Sequence, residues 1–226
     1  MTAKRRALLL VGSPKGPEST SESLGDYLLD QLSKGGLETQ KIRIFPSINS
    51  DDGREKLLSA INTSDILILS HPLYIDSLPT PVIKTMELVA KHRKSTAELR
   101  EQKLLAISNN GFPEAYQNET ALAISRRFAF ESKIKWAGGL ALGGGESIDG
   151  RPLRELGVMA RNVKKSLDLT AAALLEGKPV PKEAVDLMAK PFLPVWLYTW
   201  VAGSRWKRRA KEHGVQKRLH DRPYQR

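Results

Sequence analysis

The sequence of 226 residues contains no cysteine. Disulfide bonds, thiolate metal sites, cysteine nucleophiles and cysteine-ligated iron–sulfur clusters are therefore excluded. The four histidines show neither His-x-x-x-His nor His-Glu-x-x-His spacing, so no metal site is predicted. The N-terminal apolar run, 7–11, is too short for the core of a signal peptide. We therefore expect a cytoplasmic protein.

Acidic residues are scarce in the last part of the chain. From residue 203 onward nine basic residues stand against two acidic ones, so this segment carries +7 of the formal net charge of +11. The preceding 202 residues are nearly balanced in charge. The segment 192–201 is aromatic and apolar, but it contains a proline and is too short to span a bilayer.

Apolar runs and turn residues alternate along the chain in the manner of an α/β protein. The pattern predicts strands at 7–11, 38–44, 65–70, 103–108 and 134–142, and helices at about 22–34, 53–62, 81–91, 114–130, 153–176 and 182–190. Right-handed crossovers between such strands give a doubly wound, five-stranded parallel sheet. We predict one domain at 1–190, followed by an aromatic and basic, helical C-terminal extension at 191–226.

The loop after the first predicted strand is rich in hydroxyl groups. It contains Ser13, Lys15 and the run Ser19-Thr20-Ser21, and a predicted helix follows. Hydroxyls, a lysine and the positive end of a helix dipole together suit a phosphate group. The Gly-x-x-x-x-Gly-Lys-Ser/Thr and Gly-x-Gly-x-x-Gly motifs are absent, so the loop suits a single terminal phosphate, as on FMN. The alternative is an ordinary loop whose Ser or Thr caps the helix. A mononucleotide-type loop at this point predicts the strand order 2-1-3-4-5.

Two further loops leave the same edge of the predicted sheet. After the third strand the chain runs from His71 to Pro79, and after the fourth strand from Asn109 to Glu114. The first loop offers apolar and aromatic side chains, and the second offers amides, a glycine and Phe112. A planar heteroaromatic ring needs both kinds of group, one for its faces and one for its edge.

Taken in order, these motifs resemble the flavodoxin-like NAD(P)H-dependent FMN reductase family. The resemblance covers most of residues 6–180 and is carried by Gly12-Ser13-Pro14-Lys15 with Ser19-Thr20-Ser21, Pro72-Leu73-Tyr74-Ile75-Asp76-Ser77-Leu78-Pro79, Asn110-Gly111-Phe112-Pro113-Glu114, Trp136-Ala137-Gly138-Gly139 and Gly143-Gly144-Gly145-Glu146. It implies a flavodoxin-like fold, FMN as cofactor and NAD(P)H as co-substrate. The electrons would pass to a quinone, nitro or azo compound, a free flavin or a metal ion.

The resemblance also implies which residues bind the cofactor. The FMN phosphate would lie on Ser13, Lys15, Ser19, Thr20 and Ser21, and the ring between Pro72, Leu73, Tyr74 and Ile75 on one side and Asn109, Asn110, Gly111 and Phe112 on the other. No catalytic base is assigned, since the chemistry resides in the flavin. Lys15 stands where many relatives carry arginine, which makes bidentate phosphate contacts that lysine cannot make. Members of the family commonly form homodimers.

Three functional alternatives remain open. The chain is either an NAD(P)H-dependent oxidoreductase or a flavin-binding electron carrier or sensor without NAD(P)H activity, and its basic pI near 9.8 argues mildly against a carrier. A structural module that has lost flavin is a further alternative. His71 is expected to be a simple loop histidine rather than a residue beside the flavin.

The C-terminal extension has three interpretations. Residues 192–211 would either lie on an anionic membrane surface, which would suit a quinone acceptor, or pack onto the domain or across a homodimer. We favour packing on the sequence alone. A nucleic-acid partner is the third alternative for so basic a segment, and the aromatic residues do not favour it.

Overall fold

The computed structural model describes residues 4–222 of the protein, and its centre is a five-stranded parallel sheet. The order 2-1-3-4-5 confirms the predicted topology. The strands are β1 (Arg6–Val11), β2 (Glu38–Arg43), β3 (Ile66–Pro72), β4 (Lys103–Asn109) and β5 (Lys135–Leu142). Because all five run in the same direction, the loops that follow β1, β3, β4 and β5 leave from one edge, the carboxyl edge.

Helices cover both faces of the sheet. They are α1 (Thr20–Lys34), α2 (Ile44–Ile48), α3 (Asp51–Thr63), α4 (Thr80–Ser95), α5 (Glu119–Glu131), α6 (Arg161–Leu175) and α7 (Lys182–Met188), with α8 (Val195–Glu212) in the C-terminal extension. Residues of α1, α6 and α7 form a buried cluster on one face, and residues of α2 to α5 form another on the opposite face.

The central strands β1 and β3 are buried on both sides. Leu9 of β1 belongs to the cluster with α1 and α6, while its neighbours Leu8 and Leu10 belong to the cluster with α3 and α4. Successive side chains of a strand point to opposite faces, so a run of apolar residues is needed where both faces are covered. By contrast β2 is the exposed edge strand that its alternating sequence predicts.

The largest difference from the predicted elements lies after β5. The apolar spacing predicts a helix from residue 153, but α6 begins only at Arg161. Residues 145–160 instead form a short 3₁₀ helix (Gly145–Ser147) and a series of turns. Pro152 and Gly157, whose φ is +54°, interrupt a continuous helix, while Leu153 and Leu156 remain buried in the core.

The chain divides into two compact units, Met1–Phe192 and Leu193–Arg226. The first holds the sheet and α1 to α7. The second holds α8 and a short 3₁₀ helix, Gln216–Arg218. Within the described residues, no helix combines the length and the apolar character needed to cross a membrane. The sequence-based division into domains at 190 and 191 stays a prediction, since compactness alone does not show independent folding.

A buried carboxylate joins the edge strand to the start of α1. Glu22 is 4% exposed, and its Oε1 lies 2.6 Å from Lys41 Nζ and 2.7 Å from Arg43 Nη2. Burial would raise the pKa of Glu22, but the hydrogen bonds from Arg43 and Lys41 outweigh burial, and the pKa lies below its usual value. The carboxylate is therefore charged at neutral pH and holds β2 against the first turn of α1.

Replacing this carboxylate by its neutral amide should be costly. We expect Glu22→Gln to lower the free energy of unfolding by about 2 kcal/mol at pH 7, because both cations lose a buried partner. Urea denaturation measures the change. Since the folded-state pKa is depressed, the difference from the wild type should shrink as the pH falls below about 4.5.

The matched control is Glu38→Gln, also on β2. Glu38 pairs with Arg6 at 2.7 Å, but both side chains are about half exposed, so its loss should cost less than about 1 kcal/mol. Equal effects of the two substitutions would contradict a special role for Glu22.

Candidate functional site

The carboxyl edge of the sheet is held together by the side chain of Asn109. Its Nδ2 donates to Ser21 Oγ at 2.8 Å and to the carbonyl oxygen of His71 at 3.0 Å, and the backbone N–H of Leu73 donates to its carbonyl oxygen at 2.8 Å. Asn109 is buried, so these bonds are shielded from water. One residue at the end of β4 thus sets the positions of the first turn of α1 and the start of the loop after β3.

The hydroxyl groups of the first loop are partly used by the protein itself. Ser19 caps α1, its Oγ accepting from the N–H of Glu22 at 3.2 Å, so the helix-cap interpretation is confirmed. Thr20 Oγ1 donates to the carbonyl oxygen of Gly145 at 2.8 Å, and Ser13 Oγ accepts from the N–H of Lys15 at 3.3 Å. Because the cap also makes α1 start at Thr20, two residues before the predicted start, the hydroxyl run forms the helix terminus itself.

Donors nevertheless remain at this terminus. Among residues 4–222, the backbone N–H groups of Thr20 and Ser21 have no hydrogen-bond partner. Ser19 and Ser21 accept hydrogen bonds through Oγ, which leaves their hydroxyl protons available to an anion. The helix start therefore offers amide donors, hydroxyl donors and a partial positive charge in one place.

Lys15 lies at the exposed rim of the loop. Its Nζ is 3.3 Å from Asp149 Oδ1, and both side chains are largely exposed. The loop and the segment after β5 also touch directly, because a Cβ on Gly150 would overlap the carbonyl oxygen of Glu18. Gly150 has φ +73°, so both its conformation and its lack of a side chain permit this contact. The sequence analysis did not predict that Asp149 and Gly150 contact the first loop.

The loop after β3 presents a strained apolar tip. Tyr74 and Ser77 exchange backbone hydrogen bonds of 2.9 and 3.1 Å around Ile75 and Asp76, whose φ angles are +47° and +56°. A β-branched residue at positive φ is unfavourable, and Ile75 is 99% exposed, so no packing within the described chain offsets the strain. Strain at an exposed apolar residue is typical of a ligand-contacting position.

The loop after β4 completes this surface with Phe112. Asn110 uses its side chain to shape the loop, its Oδ1 accepting from the N–H of Phe112 at 2.9 Å and its Nδ2 donating to the carbonyl oxygen of Glu114 at 3.2 Å. The ring of Phe112 stays exposed, like the side chains of Tyr74 and Ile75. At the carboxyl edge, exposed apolar side chains therefore come from both of the loops that the sequence analysis expected to hold a planar ring.

His71 lies in β3 and not in the loop where the sequence placed it. It is fully buried; its Nδ1 is 3.1 Å from the carbonyl oxygen of Pro72, and its Nε2 has no partner among residues 4–222. Burial lowers the pKa of His71 to about 4. The imidazole ring is therefore neutral at physiological pH, and it lies buried within the sheet.

A groove of about 680 Å³ lies beside this edge, between α1 and the segment after β5. Its lining includes the carboxylates of Glu18, Glu22, Asp26, Asp30 and Asp149 together with Arg151 and Arg154. The excess of carboxylates makes it a poor place for a phosphate, and it holds none of the exposed apolar residues of the two ring loops.

Solved structures with the same architecture include flavin proteins. An NAD(P)H:quinone oxidoreductase from Methanothermobacter marburgensis is 15% identical, with a TM-score of 0.58 over 76% of this chain and 96% of its own. A WrbA-like flavodoxin from Agrobacterium tumefaciens is 13% identical, with a TM-score of 0.56 over 77% and 97%. An FMN-dependent NADH-azoreductase from Bacillus anthracis, solved in complex with FMN, is 10% identical, with a TM-score of 0.51 over 76% and 100%.

These likenesses show that the protein has the flavodoxin-like fold, as the sequence motifs predicted. No protein-family model matches the chain, and no curated protein matches its sequence.

The strain at Ile75 gives a testable consequence. Asparagine tolerates the left-handed region far better than isoleucine, so Ile75→Asn should raise the free energy of unfolding by about 1 kcal/mol. Chemical denaturation of the protein without ligand measures it. The control Val158→Asn, at another highly exposed β-branched residue, should change stability by less than about 0.5 kcal/mol. A loss of stability in Ile75→Asn would show that Ile75 is not strained.

Neutral His71 predicts a pH dependence of stability. Its pKa is about 4 in the folded protein against 6.5 ordinarily, so between these values only the unfolded chain takes up the proton. The free energy of unfolding should therefore fall by about 2 kcal/mol from pH 6.5 to pH 5. This contribution should disappear in His71→Asn, whereas the other titrating groups are common to both proteins. Identical pH slopes would contradict the prediction.

Proposed function

We propose that this protein is an FMN-dependent NAD(P)H oxidoreductase. The observation that carries the proposal is the pairing, at one sheet edge, of a donor-rich helix start with exposed apolar side chains on the two adjacent loops. A phosphate and a flat, largely apolar ring on one molecule suit this pairing. The FMN named with the azoreductase and the nicotinamide chemistry named with the quinone oxidoreductase support the same class.

The donor set fits the phosphate of FMN. The N–H groups of Thr20 and Ser21 and the hydroxyls of Ser13, Ser19 and Ser21 would donate to its oxygens, and Lys15 would add a full positive charge. The hydroxyl of Thr20 is engaged with Gly145, so Thr20 contributes its backbone and not its side chain.

The ring would be held between the two exposed loops. Pro72, Leu73, Tyr74 and Ile75 would contact it from one side and the backbone from Asn109 to Phe112 from the other. Asn109 positions both loops through hydrogen bonds to the chain on either side. Bound FMN supplies the capacity to accept two electrons from NAD(P)H and pass them on, and the protein orients the ring and limits the access of water.

No side chain at this edge is proposed as a catalytic base. His71 is buried and neutral, and its Nδ1 faces its own chain. The acceptor is proposed only as a small molecule such as a quinone, nitro or azo compound, a flavin or a metal ion. The exposed Tyr74, Ile75, Phe112 and Tyr116 are consistent with a homodimer in which a second copy covers part of the edge.

The second candidate is an electron carrier or sensor that binds flavin but does not react with NAD(P)H. The flavodoxin fold of the Agrobacterium protein supports the same scaffold for either role. The two differ in whether a nicotinamide reaches the flavin. We favour the enzyme because the ring loops are exposed and the chain is basic.

The test combines a visible spectrum with two substitutions at the phosphate loop. Reconstituted protein should show bound FMN that bleaches under anaerobic NADPH or NADH. Lys15→Ala should weaken FMN on the order of tenfold and leave riboflavin, which has no phosphate, unchanged. Asp149→Asn should strengthen FMN binding, because it releases Lys15 from a competing carboxylate. The control Lys34→Ala removes an exposed lysine at the far end of α1.

Each result has a definite meaning. Bound flavin that stays oxidised with both nucleotides would favour the carrier or sensor. Protein that binds no FMN would overturn the proposed site. Equal loss of FMN and riboflavin in Lys15→Ala would contradict the assignment of the loop to the phosphate.

A further inference from the structure

Helix α8 carries three exposed tryptophans. Trp196, Trp200 and Trp206 are 71%, 67% and 73% exposed. With an advance of roughly 100° per residue, the three positions fall within about 120° of the helix circumference. Large aromatic side chains are mostly buried in folded proteins, so three on one side of a helix indicate a surface that meets something else.

The same helix is strongly basic in its second half. Arg205, Lys207, Arg208, Arg209 and Lys211 follow one another within seven residues. Of these five cations, only Arg208 has a carboxylate partner among the described residues, namely Glu212 at 3.9 Å. The helix therefore presents cations that are not neutralised by the protein.

Two of the five cations lie on the tryptophan side of the helix, whereas Arg205, Arg208 and Arg209 point to its other sides. Lys207 lies between Trp196 and Trp200 on the helical wheel, and Lys211 lies just beyond Trp200. Between the tryptophans on this side lie Thr199 and Gly203, which are small and exposed, and Ala210, which is small and buried. Indole rings favour the level of lipid headgroups, and long cationic side chains reach from an apolar surface to phosphate groups. Three indole rings and two lysines on one side therefore match the two layers of a membrane interface.

Two other occupants fit the charge less well. A second copy of α8 would bring two sets of five cations together, which like-charge repulsion disfavours. A duplex nucleic acid would satisfy the cations, but its bases are already stacked, so Trp196 and Trp200, which precede the basic residues along the helix, would have no apolar partner.

We propose that α8 binds anionic lipid surfaces, with its tryptophans at the headgroup level and Lys207 and Lys211 beside them on lipid phosphates. This inference rests on the C-terminal unit alone and is independent of the proposed flavin chemistry. The helix lies on the surface and does not cross it, since no described helix is long and apolar enough to do so.

Binding of the full chain to vesicles tests the proposal. The protein should sediment with vesicles of phosphatidylglycerol and phosphatidylcholine, but not with phosphatidylcholine alone, and salt should release it. The charge variant Lys207→Glu, Arg209→Glu, Lys211→Glu should bind on the order of 100-fold more weakly. Its control is Lys84→Glu, Lys91→Glu, Lys94→Glu, which reverses three exposed lysines of α4 and should bind more tightly than the α8 variant.

The tryptophan face is tested separately. The triple variant Trp196→Ser, Trp200→Ser, Trp206→Ser should lose vesicle binding on the order of 100-fold, since each buried indole contributes apolar contact. Its control is Phe130→Ser with Val158→Ser, two similarly exposed apolar residues of the first unit, which should bind like the wild type.

Fluorescence supplies a readout that does not depend on these variants folding. The chain has four tryptophans, and Trp136 is the one outside α8. In Trp136→Phe, anionic vesicles should shift the emission to shorter wavelength, and brominated lipid should quench it. In Trp196→Phe, Trp200→Phe, Trp206→Phe, where only Trp136 remains, quenching should be absent.

Four outcomes would overturn the proposal. These are failure to bind anionic vesicles, equal binding to uncharged vesicles, full binding by the triple serine variant, and absence of quenching in Trp136→Phe. A change from dimer to monomer in the triple serine variant without vesicle binding by the wild type would assign the face to a second copy. Binding to duplex nucleic acid but not to vesicles would assign it to that partner.

Discussion

The geometry of the carboxyl edge depends on one buried amide. A parallel sheet brings the ends of its strands to one side, but it does not fix how the following loops stand relative to one another. Asn109 does so, because its side chain and backbone bond to the first turn of α1, to the end of β3 and to Leu73. Ser21 and His71 are buried, and a buried polar group that loses a hydrogen-bond partner costs more free energy than the bond itself contributes. The amide therefore holds the first turn of α1 beside the start of the loop after β3.

The first loop meets two demands with the same residues. The hydroxyl of Ser19 caps α1, and the hydroxyl of Thr20 donates to the carbonyl oxygen of Gly145. An anion bound at the same place would also need hydrogen-bond donors. The conflict is resolved by chemistry: a hydroxyl that accepts a hydrogen bond still has a proton to give, and the first amides of a helix have no partner within it. For this reason the helix-cap and phosphate interpretations, which the sequence presents as rivals, are compatible. The carboxylate of Asp149 opposes an anion at Lys15, but an exposed pair is weak enough to rearrange.

Local signals predicted the strands and their order well, and they failed where distant residues decide the structure. Leu153, Leu156 and Ala160 have helical spacing, but they lie in turns, because Pro152 and Gly157 prevent a helix there. All three are nevertheless buried, since they pack against one face of the sheet. The contact of Gly150 with Glu18 joins positions far apart in sequence, so no window of residues contains it. The sequence places His71 in a loop because Pro72 follows it, but the pairing of β3 with β4 continues through His71 to Pro72. The left-handed backbone of Ile75 contradicts its propensity and could be seen only in the fold.

In the C-terminal extension a proline marks the start of the helix. Pro194 stands immediately before α8, where its fixed φ and missing N–H cost nothing, and the helix then runs without interruption to Glu212. Continuity is what places the three tryptophans on one side, since in a broken segment their directions would be unrelated. The protein thus has two exposed apolar surfaces whose surroundings differ. Tyr74, Ile75 and Phe112 adjoin amide and hydroxyl donors, which suits a small ligand with one phosphate. Trp196, Trp200 and Trp206 share a helix with five cations, four of which have no carboxylate partner among the described residues, and this combination suits a broad anionic surface. Exposed apolar area alone does not separate these two roles; the number and spacing of the charges around it do.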